Sequence, residues 1–327
     1  MDRLPITDAS HIAAARRFAS ALAARAGFGE TDAGRVAIVT SELGSNILRH
    51  GSGGELLIAP DNLRDCGIEL LALDRGQGMA DVAACLRDGY STAGTPGTGL
   101  GAVRRLADEM AILSRPGGGT AIVARLHPRG EAESRQRDHA VVAVAKPGES
   151  VCGDAAALVP SPDGQLAVMI ADGLGHGPVA AAASREAVRL FRKSWPGPPA
   201  EILPILHAGL RATRGAAIAT AVIDPSAQLV MYGGIGNISG FVTDGCGVRR
   251  MVSHAGTAGH NARRIQQFSY PFTAPATVVM FSDGLTSSWS PEAHKGLFQL
   301  DPLLIAGVLY RDHARGRDDT TVLVWKG

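Results

Sequence analysis

Three acidic signatures occupy the second half of the chain: Asp172-Gly-Leu-Gly-His-Gly177, Ser282-Asp-Gly284 and Asp318-Asp-Thr-Thr321. Each sets an aspartate at or beside the end of an apolar, strand-like run (166–171, 277–281) or just before one (322–325). Carboxylates at strand ends, presented by Gly-rich turns, supply the oxygen ligands that Mg²⁺ and Mn²⁺ prefer. A two-metal site needs several of them converging from separate parts of the chain, and the chemistry it performs is metal-assisted hydrolysis. Two such ions lower the pKa of a shared water and neutralise charge on a phosphoryl group, so no serine or cysteine nucleophile is required. Asp154, Asp172, Asp283, Asp318 and Asp319 are the aspartates to weigh. Asp172-Gly173 suits a bridging carboxylate followed by a backbone carbonyl ligand.

The first half carries a different set. Glu42 and Asn46 stand four residues apart in a helical pattern and project from one face. Asp74-Arg-Gly-Gln-Gly78 ends an apolar strand, and Gly97-Thr-Gly-Leu-Gly101 immediately precedes a helix. A strand-end carboxylate can accept a hydrogen bond from an exocyclic amine such as adenine's. Glycines let backbone approach a nucleotide closely, and a Gly-rich loop feeding a helix N-terminus suits phosphate. Asparagine offers an amide oxygen to Mg²⁺, and Glu42 could orient or deprotonate a hydroxyl. The glycine spacing fits neither the dinucleotide nor the P-loop pattern.

The elements that must position these residues fall into two groups. Residues 128–139 are polar and charged without buried periodicity, and they read as a linker between domains 1–133 and 134–327. Before it, helices are expected over 11–26, 31–49 and 100–109, with strands at 55–59, 67–73, 110–114 and 120–126. Helices on one face of a mixed sheet satisfy this order. After it, strands alternate with Gly/Pro turns and with helices near 178–193, 199–213 and 301–311, which suggests two packed sheets flanked by helices. The glycines at 233–240 read as a turn between strands.

Composition narrows the class. The 327 residues are 45% hydrophobic and 19% charged, with a net charge of +1. That balance gives no electrostatic reason to expect nucleic acid or an anionic membrane as partner. Only four of the basic residues are lysines, which reads as compositional bias. Cys66, Cys85, Cys152 and Cys246 show no paired or zinc-finger spacing and look like reduced thiols. No signal peptide and no membrane-length apolar run is evident, so a soluble cytoplasmic protein is expected. His254, His260 and His294 stand singly and fit no metal-ligand spacing, and His207, on a helix, reads as a surface or satisfied histidine.

In its first half, about residues 10–127, the sequence resembles the Bergerat-fold (GHKL) ATPases shared by histidine kinases and anti-sigma-factor serine kinases. Ser41-Glu-Leu-Gly-Ser-Asn46 is similar to their N box, Asp74–Gly78 to their first glycine box and Gly97–Gly101 to their second. The short lid, about 18 residues from Met79 to Pro96, resembles that of the compact serine kinases of bacterial partner switching. The resemblance implies that Asn46 holds Mg²⁺, Asp74 reads adenine, Gly76, Gly78, Gly97, Gly99 and Gly101 admit ATP, and Glu42 is the base toward a protein hydroxyl.

In the second half, about 140–326, Cys152-Gly-Asp154, the three acidic signatures and Gly233–Gly240 together resemble the metal-dependent protein phosphatase (PPM) superfamily, in its bacterial SpoIIE-type branch. That resemblance implies two Mn²⁺ or Mg²⁺ ions bridged by Asp172, with the Gly173 carbonyl, Asp283 and Asp318 completing the core. Asp154 would be a direct or water-mediated ligand, while Asp319 falls at a position that is usually not one. His176 is equally open to a general-acid and a structural role, and the phosphate-gripping arginine of eukaryotic relatives has no clear counterpart.

The expected protein is therefore a two-domain α+β chain, a Bergerat α/β sandwich followed by a PPM-type αββα sandwich. It would dephosphorylate phosphoserine or phosphothreonine on a STAS-domain antagonist or stressosome scaffold, and its N-terminal domain would bind ATP with Mg²⁺ and act as a serine/threonine kinase in the same partner-switching circuit. Alternatives are a phosphatase whose N-terminal domain only senses ATP or ADP, and a non-catalytic switch that sequesters a sigma-factor regulator. Oligomeric state is not legible.

Overall fold

The computed structural model describes residues 1–61, 66–87, 99–129, 137–294 and 296–327. The chain divides into two compact units, Met1–Gln136 and Arg137–Gly327. The boundary expected at 133/134 lies among residues 130–136, outside the described residues.

The first unit runs β1 (Asp2–Ile6), α1 (Ala9–Arg25), α2 (Glu30–His50), β2 (Gly54–Asp61), β3 (Gly67–Asp74), α3 (Val82–Cys85), α4 (Gly99–Leu106), β4 (Glu109–Ser114) and β5 (Thr120–Leu126). Helix α1 starts where the Asp8 carboxylate accepts from the backbone N–H groups of Ser10 (2.7 Å) and His11 (3.2 Å), an N-cap that satisfies two donors the helix cannot. Its buried stripe is Ala15, Ala19, Leu22 and Ala23. Helix α2 buries Val36, Val39, Leu43 and Ile47 at the same three-to-four spacing. Both stripes pack on Leu56, Ile58, Ile68, Leu70, Ile122 and Ala124 of the sheet.

The sheet order is β1-β2-β3-β5-β4, and every pairing in it is antiparallel. The mixed sheet expected from sequence is thus corrected. The β4–β5 hairpin inserts β5 between β3 and β4, antiparallel to both, so no parallel pair arises.

The second unit comprises β6 (His139–Val144), β7 (Asp154–Pro160), β8 (Leu166–Gly173), α5 (Gly177–Ser194), α6 (Pro199–Gly209), β9 (Ala216–Asp224), β10 (Leu229–Ile235), β11 (Ser239–Asp244), β12 (Gly247–Met251), β13 (Phe268–Pro271), β14 (Thr277–Phe281), α7 (Pro302–His313) and β15 (Thr320–Lys326). Its two five-stranded sheets, β13-β10-β9-β8-β7 and β12-β11-β14-β15-β6, face each other. Val168, Ile170, Ala221 and Tyr232 of one meet Val242, Val278, Met280 and Leu323 of the other in a single apolar core. Helices α5 and α6 cover the outer face of the first sheet through Ala187, Phe191, Ile202 and Leu206. Helix α7 packs on β6 and β15. Gly233 and Gly234 lie within β10 and Gly240 within β11, so the expected glycine turn shrinks to the few residues between those strands.

Among the described residues no helix is long and apolar enough to cross a membrane. In the first unit, buried Arg35 fastens α2 to the chain beyond α4. Its guanidinium donates to Asp32 Oδ1 (2.9 Å), Asp108 Oδ1 (2.7 Å) and the Leu106 carbonyl (2.7 Å). Removing one partner from such a network strands the rest, so Arg35→Ala should cost about 3 kcal/mol. All three tryptophans belong to the second unit. Urea unfolding should therefore show an early far-UV circular dichroism loss in this variant with an unchanged tryptophan transition. Coincident, unshifted transitions would contradict the assignment.

Candidate functional site

In the second unit, antiparallel register assembles what the sequence scatters. Asp154 opens β7 and Asp172 nears the end of β8, and the two are directly opposite in the β7–β8 ladder. The end of β14 lies beside the start of β15, Phe281 opposite Val322, which brings the loops bearing Asp283 and Asp318 together. Asp172, Asp283 and Asp318 then line one cavity of about 490 Å³ with Lys146, His176 and Asn237.

The electrostatics of this cluster are unfavourable as built. Burial, followed by the charges of Asp154, Asp283 and Asp318, pushes the Asp172 carboxyl well above the ordinary range. Burial does the same to Asp154, and burial with the Asp318 charge raises Asp283. Like charges placed opposite each other on neighbouring strands are destabilising unless something positive lies between them.

Three of the four carboxylates have a local tether. Asp154 Oδ2 accepts from Ser282 Oγ (2.6 Å), which in turn accepts from the Thr321 N–H (2.9 Å). Asp283 Oδ2 accepts from Asn237 Nδ2 (2.7 Å), and Asp318 Oδ1 from the Asp319 N–H (3.0 Å). Gly173 is required by packing, since a Cβ there would collide with the Ala180 carbonyl of α5.

The fit to hard divalent cations has two sides. Asp154 Oδ1 is buried without a hydrogen-bond partner, an acceptor with unspent capacity behind the cavity. Yet among the described residues no three His, Cys, Asp or Glu side chains close on one point as a cage for a single ion. Uncompensated carboxylates repel, and Asp154, Asp283 and Asp318 are held to protein donors. Mg²⁺-like ions keep several waters and need only one or two carboxylates each, so the donor set suits two ions sharing ligands around a cavity.

Three residues emerge that the sequence reading left aside. Lys146 lines the cavity, and its backbone N–H donates to Asp319 Oδ1 (2.9 Å). Asp319, excluded as a ligand, thus anchors the turn that carries the lysine. Glu149 closes that turn through its N–H to the Lys146 carbonyl (2.9 Å), and its Oε1 stands 2.6 Å from His176 Nδ1. A signal for Lys146 existed, because lysine is rare in a chain whose cations are mostly arginine.

The remaining residues take quieter places. Burial raises the Cys152 thiol, so it is no reactive thiolate. His207 Nδ1 accepts from the Gly259 N–H (3.2 Å). His294, expected to stand singly, meets His313 with 2.9 Å between their Nε2 atoms.

In the first unit, Asp74 at the end of β3 accepts from the N–H groups of Gly76 (2.8 Å) and Thr120 (3.1 Å) through one oxygen. Gly78 has φ +67°, and a Cβ there would strike the Arg115 carbonyl. Glu42 and Asn46 share one flank of α2, and α4 begins against them: a Cβ on Gly99 would lie 2.9 Å from Glu42 Oε2 and 3.6 Å from Asn46 Oδ1. Asn46 Nδ2 is buried with no partner among the described residues. Gly101 is buried in α4. Gly97 and residues 88–96 of the short lid lie outside the described residues.

The repulsion among the aspartates has a measurable sign. Asp154 and Asp172 bind protons more tightly folded than unfolded, so without metal their contribution to stability is present below about pH 4 and is lost as pH rises above it. At neutral pH, Asp172→Asn should raise the melting temperature of metal-free protein by roughly 3 °C. It should also remove most of the stabilisation that Mn²⁺ gives the wild type. A lower metal-free melting temperature, with the Mn²⁺ shift intact, would contradict the like-charge account.

Comparison with known proteins agrees with both halves. Residues 5–126 match the histidine kinase-like ATPase domain family, and residues 162–326 match the stage II sporulation protein E (SpoIIE) family. The serine/threonine-protein kinase RsbT of Bacillus subtilis (strain 168) is 37% identical over 116 residues, 35% of this chain and 86% of RsbT. A solved structure described as a bacterial stressosome, a modular system adapted to control secondary messenger signalling, is 25% identical with a TM-score of 0.54, covering 58% of this chain and 99% of that one. RsbX crystallised with magnesium shares the fold at 20% identity and a TM-score of 0.53, over 60% of this chain and 99% of its own. The chain belongs to the SpoIIE family, with a histidine kinase-like ATPase domain preceding its PPM-type phosphatase fold.

Proposed function

We propose that the second domain is a metal-dependent phosphoserine/phosphothreonine protein phosphatase. The first would be an ATP-binding, serine kinase-like domain of the same partner-switching circuit. The observation that carries this reading is the convergence of Asp172, Asp283 and Asp318, from three separate chain segments, on one cavity.

Asp172, the Gly173 carbonyl, Asp283 and Asp318 would hold two Mn²⁺ or Mg²⁺ ions, with Asp154 acting directly or through water. When bound, these ions would supply a water acidic enough to attack phosphorus near neutral pH and would offset charge on the phosphoryl oxygens. Lys146 makes no ion pair among the described residues, and its ammonium would grip a phosphate oxygen, the part played by arginine in eukaryotic relatives. Glu149 would hold His176 through Nδ1 and leave Nε2 to return a proton to the departing serine or threonine oxygen.

In the first domain, Asp74 would accept from the adenine amine, Asn46 would ligate Mg²⁺, and Glu42 would serve as base toward a protein hydroxyl. The similarity to RsbT and to a stressosome structure supports a STAS-domain antagonist or scaffold as the protein substrate.

Purified full chain with Mn²⁺ should release phosphate from a phosphorylated STAS-domain protein and from para-nitrophenyl phosphate. Asp172→Asn should lower the rate by about a hundredfold or more. Lys146→Ala should raise KM about tenfold with a smaller change in kcat, and Lys146→Arg should recover much of it. Metal-independent release, or release unaffected by Asp172→Asn, would refute the phosphatase reading.

For the first domain, Asp74→Ala should weaken ATP binding about tenfold. Transfer of the γ-phosphate to the STAS protein should occur in wild type and vanish in Glu42→Ala. ATP binding with no transfer in wild type would leave a nucleotide sensor instead.

A further inference from the structure

The cavity that gathers Asp172, Asp283 and Asp318 has a cationic border. Every acidic side chain in its lining is one of those three aspartates, and Lys146 and His176 stand among them. Two arginines outside the lining reach that border from different sheets. Arg214 precedes β9, which pairs with β8 so that Ala216 lies opposite Gly173 and Ala217 opposite Asp172. The register therefore delivers Arg214 beside the turn that follows the central aspartate. Backbone fixes it there: Gly215 turns at φ +78°, its N–H donates to Thr213 Oγ1 (2.9 Å), and its carbonyl accepts from the Leu174 N–H (3.0 Å). The guanidinium lies over Gly175 of the lining, where a Cβ would stand 3.5 Å from Arg214 Nη1.

Arg315 comes from the second sheet, in the turn between α7 and β15. Its N–H donates to the Gly284 carbonyl (2.8 Å), next to Asp283. Burial and the Asp318 charge raise the Asp283 carboxyl, and the Arg315 charge draws it partly back. Both arginines are exposed, and neither makes an ion pair among the described residues. Exposed arginines are ordinary on a protein surface. What sets these two apart is what the metals would leave them. Two bound divalent ions would take up the charge of the aspartates, so the lining would offer the arginines no counter-charge. Glu149, the next acid, is already held by His176. A phosphoryl group would meet the ions and Lys146, which line the cavity as the arginines do not. Within reach of the arginines lies the chain on either side of the phosphorylated residue. A planar guanidinium suits a carboxylate there, which it can meet with two parallel hydrogen bonds.

We propose that Arg214 and Arg315 form a cationic rim that receives acidic side chains flanking the phosphoserine or phosphothreonine of the protein substrate. This rests on the phosphatase reading above and adds to it a rule of substrate choice. The rim acts by opposite charge at the border of the site, outside the metals and the phosphate.

The test uses the full chain with Mn²⁺ and two phosphoserine peptides that differ only in their flanks, glutamate on both sides or glutamine on both sides. Preference is read as the ratio of kcat/KM within each enzyme, so a general loss of folding, metal or phosphate grip cancels. Wild type should favour the glutamate-flanked peptide about fivefold at low salt. Arg214→Gln and Arg315→Gln should each bring the ratio down to about twofold, and the double variant should bring it near one. Arg214→Lys should keep most of the preference. A wild-type ratio near one, or a preference that survives the double variant, overturns the rim and leaves the phosphatase reading standing. An equal loss on both peptides in Arg214→Gln, with the ratio kept, would place that guanidinium on the phosphate and also overturn the rim. No phosphate from either peptide or from para-nitrophenyl phosphate overturns both readings.

Discussion

Mutual repulsion of carboxylates is the constraint on which the second domain depends. Asp154 and Asp172 face each other across two strands, and Asp283 and Asp318 close in from a second pair. No folded chain gathers such charges without compensation elsewhere. Part of it is visible: Ser282 and Asn237 supply donors, and the apolar core between the two sheets over-determines the strand ends from which the acids project. A bound divalent cation would supply the rest. The αββα architecture is in this sense a frame stiff enough to hold a locally destabilised site, which is how functional sites commonly depart from the rules of the fold around them.

The two domains solve related problems with different means. In the second, charge is concentrated, and bound divalent ions would offset it. In the first, a single carboxylate, Asp74, is held by two backbone N–H groups at a strand end, and glycines thin the backbone around it. The Asn46 amide, without a partner among the described residues, and the close approach of Gly99 to Glu42 lie where α2 and α4 would meet a nucleotide phosphate. Both sites share a logic of rigid strand ends with Gly-rich turns, because only backbone without Cβ atoms lets charged ligands come close.

Much of this was legible in the sequence. Aspartates in Gly-rich turns after apolar runs announce strand-end carboxylates, and the helical stripes of α1 and α2 follow directly from alanine, valine and leucine spacing. What escaped depends on tertiary geometry. Strand direction in the first sheet was misjudged because a period-two pattern does not say which neighbour a strand will choose. β1 was missed for the same reason, since Asp2–Ile6 becomes a strand only by pairing with β2. Lys146 and Glu149 lie in a turn with no motif, and their places beside the cavity depend on tertiary contacts, with Asp319 anchoring one end and His176 meeting the other. The His294–His313 contact spans 19 residues that no spacing rule connects.

On the reading proposed above, the aspartate cluster holds two divalent cations. Calorimetric titration of nucleotide-free full chain with Mn²⁺ tests it most directly. About two ions should bind per chain, and Asp283→Asn or Asp318→Asn should each reduce that number or its affinity while the protein stays folded. Absence of Mn²⁺ binding to the folded wild type, or binding indifferent to both substitutions, would contradict it.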